Sequence, residues 1–250
     1  QGARRRVKHL ILTRSAYGPA WSEEANARRL AITEGVTIRS LMAQTVDFQW
    51  IVMLHKGDKL LDERRKAYKA AGAKFIYTNA EGDAQSVAFA AYSGGWARAI
   101  GSRAEKTLMT RLDDDDGFAT WAMERVQEEA RKTNRRTALM FPVGIRVWQG
   151  GFTVVQHRSN AMHTLVTPPG ETMTVYDYGH RFVGRHAKVK GIDSRPAWVW
   201  SRHEDTISGW RVSDTPLHDV IRALFPIDWS LFEGPHKKPS HAQPRGRCFR

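Results

Sequence analysis

A chain of 250 residues with 41% hydrophobic content can bury one sizeable core, and nothing in it demands a second globular domain. A single cysteine, Cys248, excludes intramolecular disulfides and a multi-cysteine zinc site, and it fits a reducing compartment. The formal charge of +13 raises the question of a polyanionic partner, but nine of those excess charges sit near the ends, on Arg4, Arg5, Arg6 and Lys8 and on Lys237, Lys238, Arg245, Arg247 and Arg250.

The charge distribution divides the chain into a basic N-terminal arm over residues 1–7, one domain over 8–233 and a basic tail over 234–250 with too few apolar groups to pack. Lys8 and His9 interrupt the apolar stretch after the first arginines and Arg14 ends it, so it is too short for a signal peptide, and no run approaches membrane-spanning length. The expectation is a cytoplasmic protein without a membrane span.

His9 to Thr13 reads as a first buried strand, followed by helical signals from Glu23 to Gln44 with a break expected at Gly35. Phe48 to Leu54 is a second strand, Leu60 to Ala71 a helix ended by Gly72, and Lys74 to Thr78 a third strand. Gln85 to Ile100 reads as a helix interrupted at Gly94-Gly95, and Thr107 to Leu112 as a fourth strand. This alternation predicts an α/β fold whose first half is a mainly parallel sheet with helices on both faces. Leu139 to Trp148 and Phe152 to His157 flank Gly150-Gly151, a hairpin signal, so antiparallel strands are expected to complete the sheet in the second half.

After the fourth strand comes Asp113-Asp114-Asp115-Asp116-Gly117-Phe118, where Phe118, Ala122, Val126 and Ala130 recur at helical spacing. Four adjacent carboxylates repel one another unless a cation or a helix N-terminus offsets the charge. Two readings follow. Asp116 caps a helix starting near Phe118 while Asp114 and Asp115 are solvated in the preceding loop, or the run holds a divalent metal. Placement favours the metal, because ligands of open α/β sheets bind beyond the carboxyl ends of the strands. Thr13 and Arg14 end the first strand at the same edge, and Arg111 stands on the same strand face as Asp113.

His9-Leu-Ile-Leu-Thr-Arg14, the segment from Leu41 to Val52 containing Gln44, Phe48 and Trp50, and the run Thr110 to Asp116 resemble glycosyltransferases of the GT-A fold. More narrowly, the chain is similar to the bacterial and phage family of rhamnosyltransferases. Phe141-Pro-Val-Gly144, Gln156-His157-Arg158-Ser-Asn160 and Pro196-Ala-Trp198-Val-Trp-Ser-Arg-His203 continue the likeness, which spans roughly residues 8–210.

The resemblance implies a Rossmann-type GT-A-like mixed sheet and a nucleotide-diphosphate-sugar donor bridged by Mn2+ or Mg2+ to an Asp-X-Asp motif, here Asp113 and Asp115, with His203 as the late histidine completing coordination. Thr13, Arg14, Arg111, Asp113 and Asp114 are the expected donor-binding residues, with a surface salt bridge as the alternative for Arg14 and neutralisation of the acidic run as the alternative for Arg111. Asp205, and after it Glu204, are the candidates for the base that deprotonates the acceptor hydroxyl. Trp148, Tyr176, Tyr178 and Trp198 are candidates for an aromatic platform, and His157, His163 and His180 are further polar groups in the second half. The acceptor hydroxyl is expected on a glycan, a protein or modified DNA. A metal-dependent phosphoryl-transfer enzyme such as a nuclease and a non-catalytic nucleic-acid-binding module are the rival classes; the second leaves the aspartate run unexplained.

Overall fold

The computed structural model of the chain describes residues 8–101, 106–148, 150–157, 160–202 and 219–234. Strand β1 (Lys8–Ser15) leads to helix α1 (Glu23–Ile32), a π-helical turn (Thr33–Ile38) and α2 (Arg39–Met42); then come β2 (Gln49–His55), α3 (Leu61–Ala70), β3 (Lys74–Thr78), α4 (Asp83–Gly101) and β4 (Thr107–Asp113). The second half runs β5 (Asp116–Phe118), α5 (Ala122–Arg131), β6 (Thr137–Met140), β7 (Val143–Trp148), β8 (Gly151–Gln156), β9 (Thr164–Thr167), α6 (Val183–His186), β10 (Lys188–Gly191), β11 (Trp198–Ser201) and α7 (Asp219–Leu224).

Seven strands form one sheet in the order β10-β6-β9-β4-β1-β2-β3, parallel except for β9, which runs antiparallel to both β4 and β6. Alternation sends Ile11, Val52 and Leu54 into the core with Tyr68 of α3 and Val126 of α5, while Leu10, Leu12, Ile51 and Met53 pack with Phe89 of α4 and Val183 of α6. Helices therefore cover both faces, and burial on both sides is why these strands read as unbroken apolar runs. This is the α/β, GT-A-like architecture that the resemblance implies. The basic arms fall outside the described residues apart from Gly234.

The structure departs from the sequence-based expectations at four places. Gly35 does not break the first helix: the chain stays helical from Glu23 to Met42, widening into the π-turn at Gly35. There the amide of Asp228 donates to the Gly35 carbonyl at 2.7 Å, and a Cβ on Gly35 would fall 2.4 Å from Leu231 Cδ1. The glycine thus serves close approach of the C-terminal segment. Gly94 and Gly95 likewise leave α4 uninterrupted, because burial of its Phe89 outweighs a propensity cost of about 1 kcal/mol per glycine.

Asp116 to Phe118 is a short strand, so Asp116 caps no helix; α5 starts at Ala122 with no side-chain cap from its own N-cap residue, Trp121. Finally, Leu139 to Trp148 is two strands in two sheets, separated at Phe141-Pro142, where proline lacks the ladder donor. The hairpin of β7 and β8 closes at Trp148 and Gly151 as its glycines suggest, but it builds a second, four-stranded sheet, β5-β11-β7-β8, instead of extending the first.

The later motifs of the resemblance meet at one carbonyl. Phe141 O accepts from Asn160 Nδ2 at 2.8 Å and from Trp198 Nε1 at 2.9 Å. Gly144 lies under the Trp198 ring, where a Cβ would come 2.0 Å from Cδ2. That contact docks β11 on β7, and β11 in turn pairs with β5 beside the aspartate run.

Candidate active site

Ser22 opens α1 by accepting from the amide of Ala25, and Glu23 and Glu24 suit its positive end. Along this helix and the turns after it, Arg29, Thr33, Thr37 and Gln44 recur at helical spacing and all face the aspartate run. Thr33 Oγ1 donates to the Asp114 carbonyl and Thr37 Oγ1 to the Asp116 carbonyl, each at 2.8 Å. Gln44 Nε2 donates to Ala119 O at 3.0 Å, while its Oε1 accepts from the Met123 amide at 3.1 Å. One helical stripe therefore fixes the backbone from the end of β4 to the start of α5.

The four carboxylates differ sharply in environment. Asp114 is buried and accepts from Ser15 Oγ at 2.6 Å, from Tyr17 Oη at 2.6 and 2.7 Å, and from Arg29 Nη2 at 2.8 Å. Burial works to raise its pKa, but Arg29 and Arg64, with the hydroxyls, outweigh it and hold the carboxyl below the usual range. Behind it Arg64 lies over the Tyr17 ring at 4.4 Å and pairs with Asp58 at 2.7 Å, both side chains fully buried. Asp115 meets the other arm of Arg29, with Nη1 2.7 Å from Oδ2.

Asp113 ends β4 in register with Arg14 of β1, and Arg111 Nη2 lies 3.2 Å from its carboxylate, which is 32% exposed. Against burial, Arg111 and then Arg14 keep Asp113 ionised. Asp116 is the opposite case. Burial, reinforced by Asp115 and Asp113, pushes its pKa well above the usual carboxylate range, with Arg202 and Arg29 only partly offsetting this. Asp113, Asp115 and Asp116 thus feel one another's charge where the parallel strands end.

Basic and aromatic groups frame them. Arg111 lies over the Tyr176 ring at 5.4 Å, and Arg14 Nη1 donates to Ser86 Oγ at 3.0 Å. His180 is close enough to feel Arg111 and Asp113; burial, then Arg111, brings its pKa down to about 4, with Asp113 acting in the other sense. Asp116 stands opposite Trp200 in the pairing of β5 with β11.

Of the residues singled out in the sequence, Arg14, Arg111, Asp113 and Asp115 come together at this edge. Asp114 lies among them, but its oxygens are taken up by internal donors, so its side chain anchors the loop where a donor contact was expected. Thr13 also turns inward: it is fully buried and accepts from Trp50 Nε1 at 3.0 Å. His203, Glu204 and Asp205 lie outside the described residues. Trp148, Tyr176, Tyr178 and Trp198 are buried and form core in place of the expected platform. His163 is buried too, with Nε2 3.2 Å from Tyr178 Oη. The sequence reading missed Tyr17 and Arg29, for which the i, i+4 stripe Arg29-Thr33-Thr37 was the available signal, and it had Asp116 as a helix cap or a member of the metal-holding run.

Among the described residues, no group of three His, Cys, Asp or Glu side chains is arranged to hold a metal ion. The chemistry of the run nevertheless suits a hard divalent cation. Asp113 and Asp115 offer carboxylate oxygens, and a nearby cation would oppose the rise that burial, Asp115 and Asp113 impose on Asp116. Mg2+ and Mn2+ sites commonly use one or two carboxylates and fill the rest with water and phosphate oxygens.

The sequence matches the family model described as "Putative rhamnosyl transferase" over residues 13–213. No curated protein sequence matches the chain. Among solved structures it is similar to Staphylococcus aureus TarS, at 12% identity over 78% of this chain and 37% of that one, with a TM-score of 0.46. A TarS fragment in complex with UDP gives 11% identity over 78% of this chain and 60% of that one, with a TM-score of 0.44. The inositol-1-phosphate CTP transferase of T. maritima gives 12%, 78%, 90% and 0.36 for the same four quantities. The chain therefore spans less than two thirds of the TarS structures it matches. These structural likenesses carry no argument about chemistry; the sequence match carries the family.

Proposed function

The chain belongs to the rhamnosyl transferase family of glycosyltransferases, and on that premise we propose a metal-dependent enzyme that moves a sugar from a nucleotide-diphosphate-sugar donor to an acceptor hydroxyl on a glycan, a protein or modified DNA. The observation that carries this reading is the placement of the acidic run Asp113 to Asp116 at the carboxyl end of β4, with Arg14 in register with Asp113 and Arg111 paired to it. Parallel α/β sheets bind ligands at that edge. No described helix is long and apolar enough to cross a membrane, and the lone cysteine suits the cytoplasm.

In this proposal Asp113 and Asp115 hold Mn2+ or Mg2+, with His203 as the third protein ligand. When bound, the cation supplies Lewis-acid stabilisation of the charge on the departing diphosphate. Arg14 and Arg111 orient the diphosphate; Arg111 is pre-positioned by Tyr176 and by its bond to Asp113. Asp114 acts at one remove, fixing the turn so that its neighbours face the substrate edge. Asp205, with Glu204 next in line, takes the acceptor proton.

The test is a panel of nucleotide sugars assayed for hydrolysis with and without Mn2+. Turnover that requires Mn2+ and is abolished in Asp113→Ala and in Asp115→Ala is the expected result. Undiminished turnover in both variants would sink the assignment.

A further inference from the structure

The second sheet carries a cationic patch that the reaction above does not use. Register places Asp116 of β5 beside Trp200 of β11, and Trp200 beside Arg146 of β7, so the three side chains stand in a row on one face. Alternation along the chain adds Arg202, whose amide continues the ladder by donating to Val147 O at 2.8 Å. Arg146 Cζ and Arg202 Cζ lie 5.8 and 5.4 Å from the Trp200 ring centroid, and the His157 ring lies 5.5 Å from the same ring.

Among the described residues no carboxylate answers Arg146. It forms no ion pair among them, and its Nε is buried without a hydrogen-bond partner. Burial disfavours its charge; burial and then the Arg146 field disfavour the charged form of His157, and burial lowers Arg202, with Asp116 opposing and Arg146 adding to the effect. The guanidinium is half-buried, and its Nε, which has lost hydration without gaining a partner, is unfavourable in the free protein. Its planar fork, braced on an indole, matches a carboxylate or phosphate in bidentate fashion. The patch is also offset from the donor edge. Strands β5 and β7 are separated by β11, so Arg146 stands about 10 Å across the sheet from Asp116, at about 4.8 Å per strand. A group at that separation suits a second sugar better than the diphosphate itself.

We propose that Arg146, braced on Trp200 with Arg202 and His157 beside it, is an oxyanion subsite for the acceptor, and that the acceptor is an anionic sugar bearing a carboxylate or a phosphate. This inference rests on the glycosyltransferase reading.

The experiment is titration calorimetry on the full chain with Mn2+ and the nucleoside diphosphate that binds best from a panel. Methyl glucoside, methyl glucuronide and glucose 6-phosphate serve as neutral, carboxylate and phosphate probes. At least one anionic probe is expected to bind ten-fold or more tightly than the neutral one; which of them does so identifies the acidic group. Arg146→Gln is expected to erase that preference, and Arg146→Lys to keep part of it. Equal affinity of all three probes for the wild-type protein overturns the inference without any variant, as does an anion preference that survives Arg146→Gln intact. Absence of Mn2+-dependent nucleoside diphosphate binding would instead overturn the glycosyltransferase reading itself.

Discussion

Arg29 holds Asp114 from 85 residues away, with Nη2 2.8 Å from Oδ1 in a buried setting. The same guanidinium reaches Asp115, so one residue of α1 neutralises the middle of the acidic run. The consequence is a division of labour among adjacent aspartates: Asp114 is tied into the fold, and its neighbours are left toward the substrate edge.

That division predicts opposite phenotypes for neighbouring positions. Asp114→Ala leaves Arg29 and Tyr17 without their shared acceptor and is expected to cost about 3–5 kcal/mol. Asp113→Ala removes a carboxylate that is partly exposed and paired chiefly with Arg111, and is expected to cost less than about 1 kcal/mol. Urea unfolding midpoints at constant slope measure both. Equal losses would refute the division.

His203→Ala is expected to weaken metal-dependent donor binding more than it lowers the melting temperature. Calorimetry with Mn2+ and a nucleoside diphosphate decides this. Unchanged metal and donor affinity would make His203 structural and turn attention to His180, which already lies near Asp113.

Gly144→Ala is expected to destabilise by about 1–3 kcal/mol, because the new methyl would overlap the Trp198 ring. In a Trp198→Ala background, itself expected to cost about 3–5 kcal/mol, the added Gly144→Ala is expected to cost little. Additive losses in the double variant would show that the clash is not what excludes a side chain at position 144.

Acid is expected to destabilise the protein through two buried histidines. Gln127 Nε2 donates to His9 Nδ1 at 3.4 Å, which leaves Nε2 to donate to Thr110 Oγ1 at 2.7 Å. Burial lowers His9 from 6.5 to about 3, and burial followed by Arg111 lowers His163 to about 4. Unfolding raises both pKa values back toward 6.5, so the unfolded chain binds more protons below that pH and stability falls as pH drops from 6.5 toward 3. At about 1.4 kcal/mol per pH unit for each group, the loss by pH 5 is on the order of 4 kcal/mol. With His180 also lowered to about 4, His9→Gln is expected to remove about a third of the histidine-linked slope in denaturant titrations between about pH 7 and 5. An unaltered slope would show that His9 does not titrate on unfolding.

Periodicity and composition were enough to lay out the parallel half of the sheet, because strands buried on both faces must be apolar along their whole length and helices between them must carry a stripe. The aspartate run was legible as a charge problem for the same local reason: four adjacent carboxylates demand compensation wherever they sit. What compensates each one was decided by tertiary structure. Arg29, Thr33 and Thr37 are distant in sequence from the run, and only the packing of their helix beside the end of β4 brings them to it. Tertiary contact likewise turned Gly35 from a helix breaker into a site of close approach, and Phe118 from a helix start into a strand, since backbone pairing with β11 outweighs a weak local helical pattern. The row Asp116-Trp200-Arg146 illustrates the limit most directly. Its members come from three strands far apart in the chain, and register between strands, which no local spacing encodes, is what makes them neighbours.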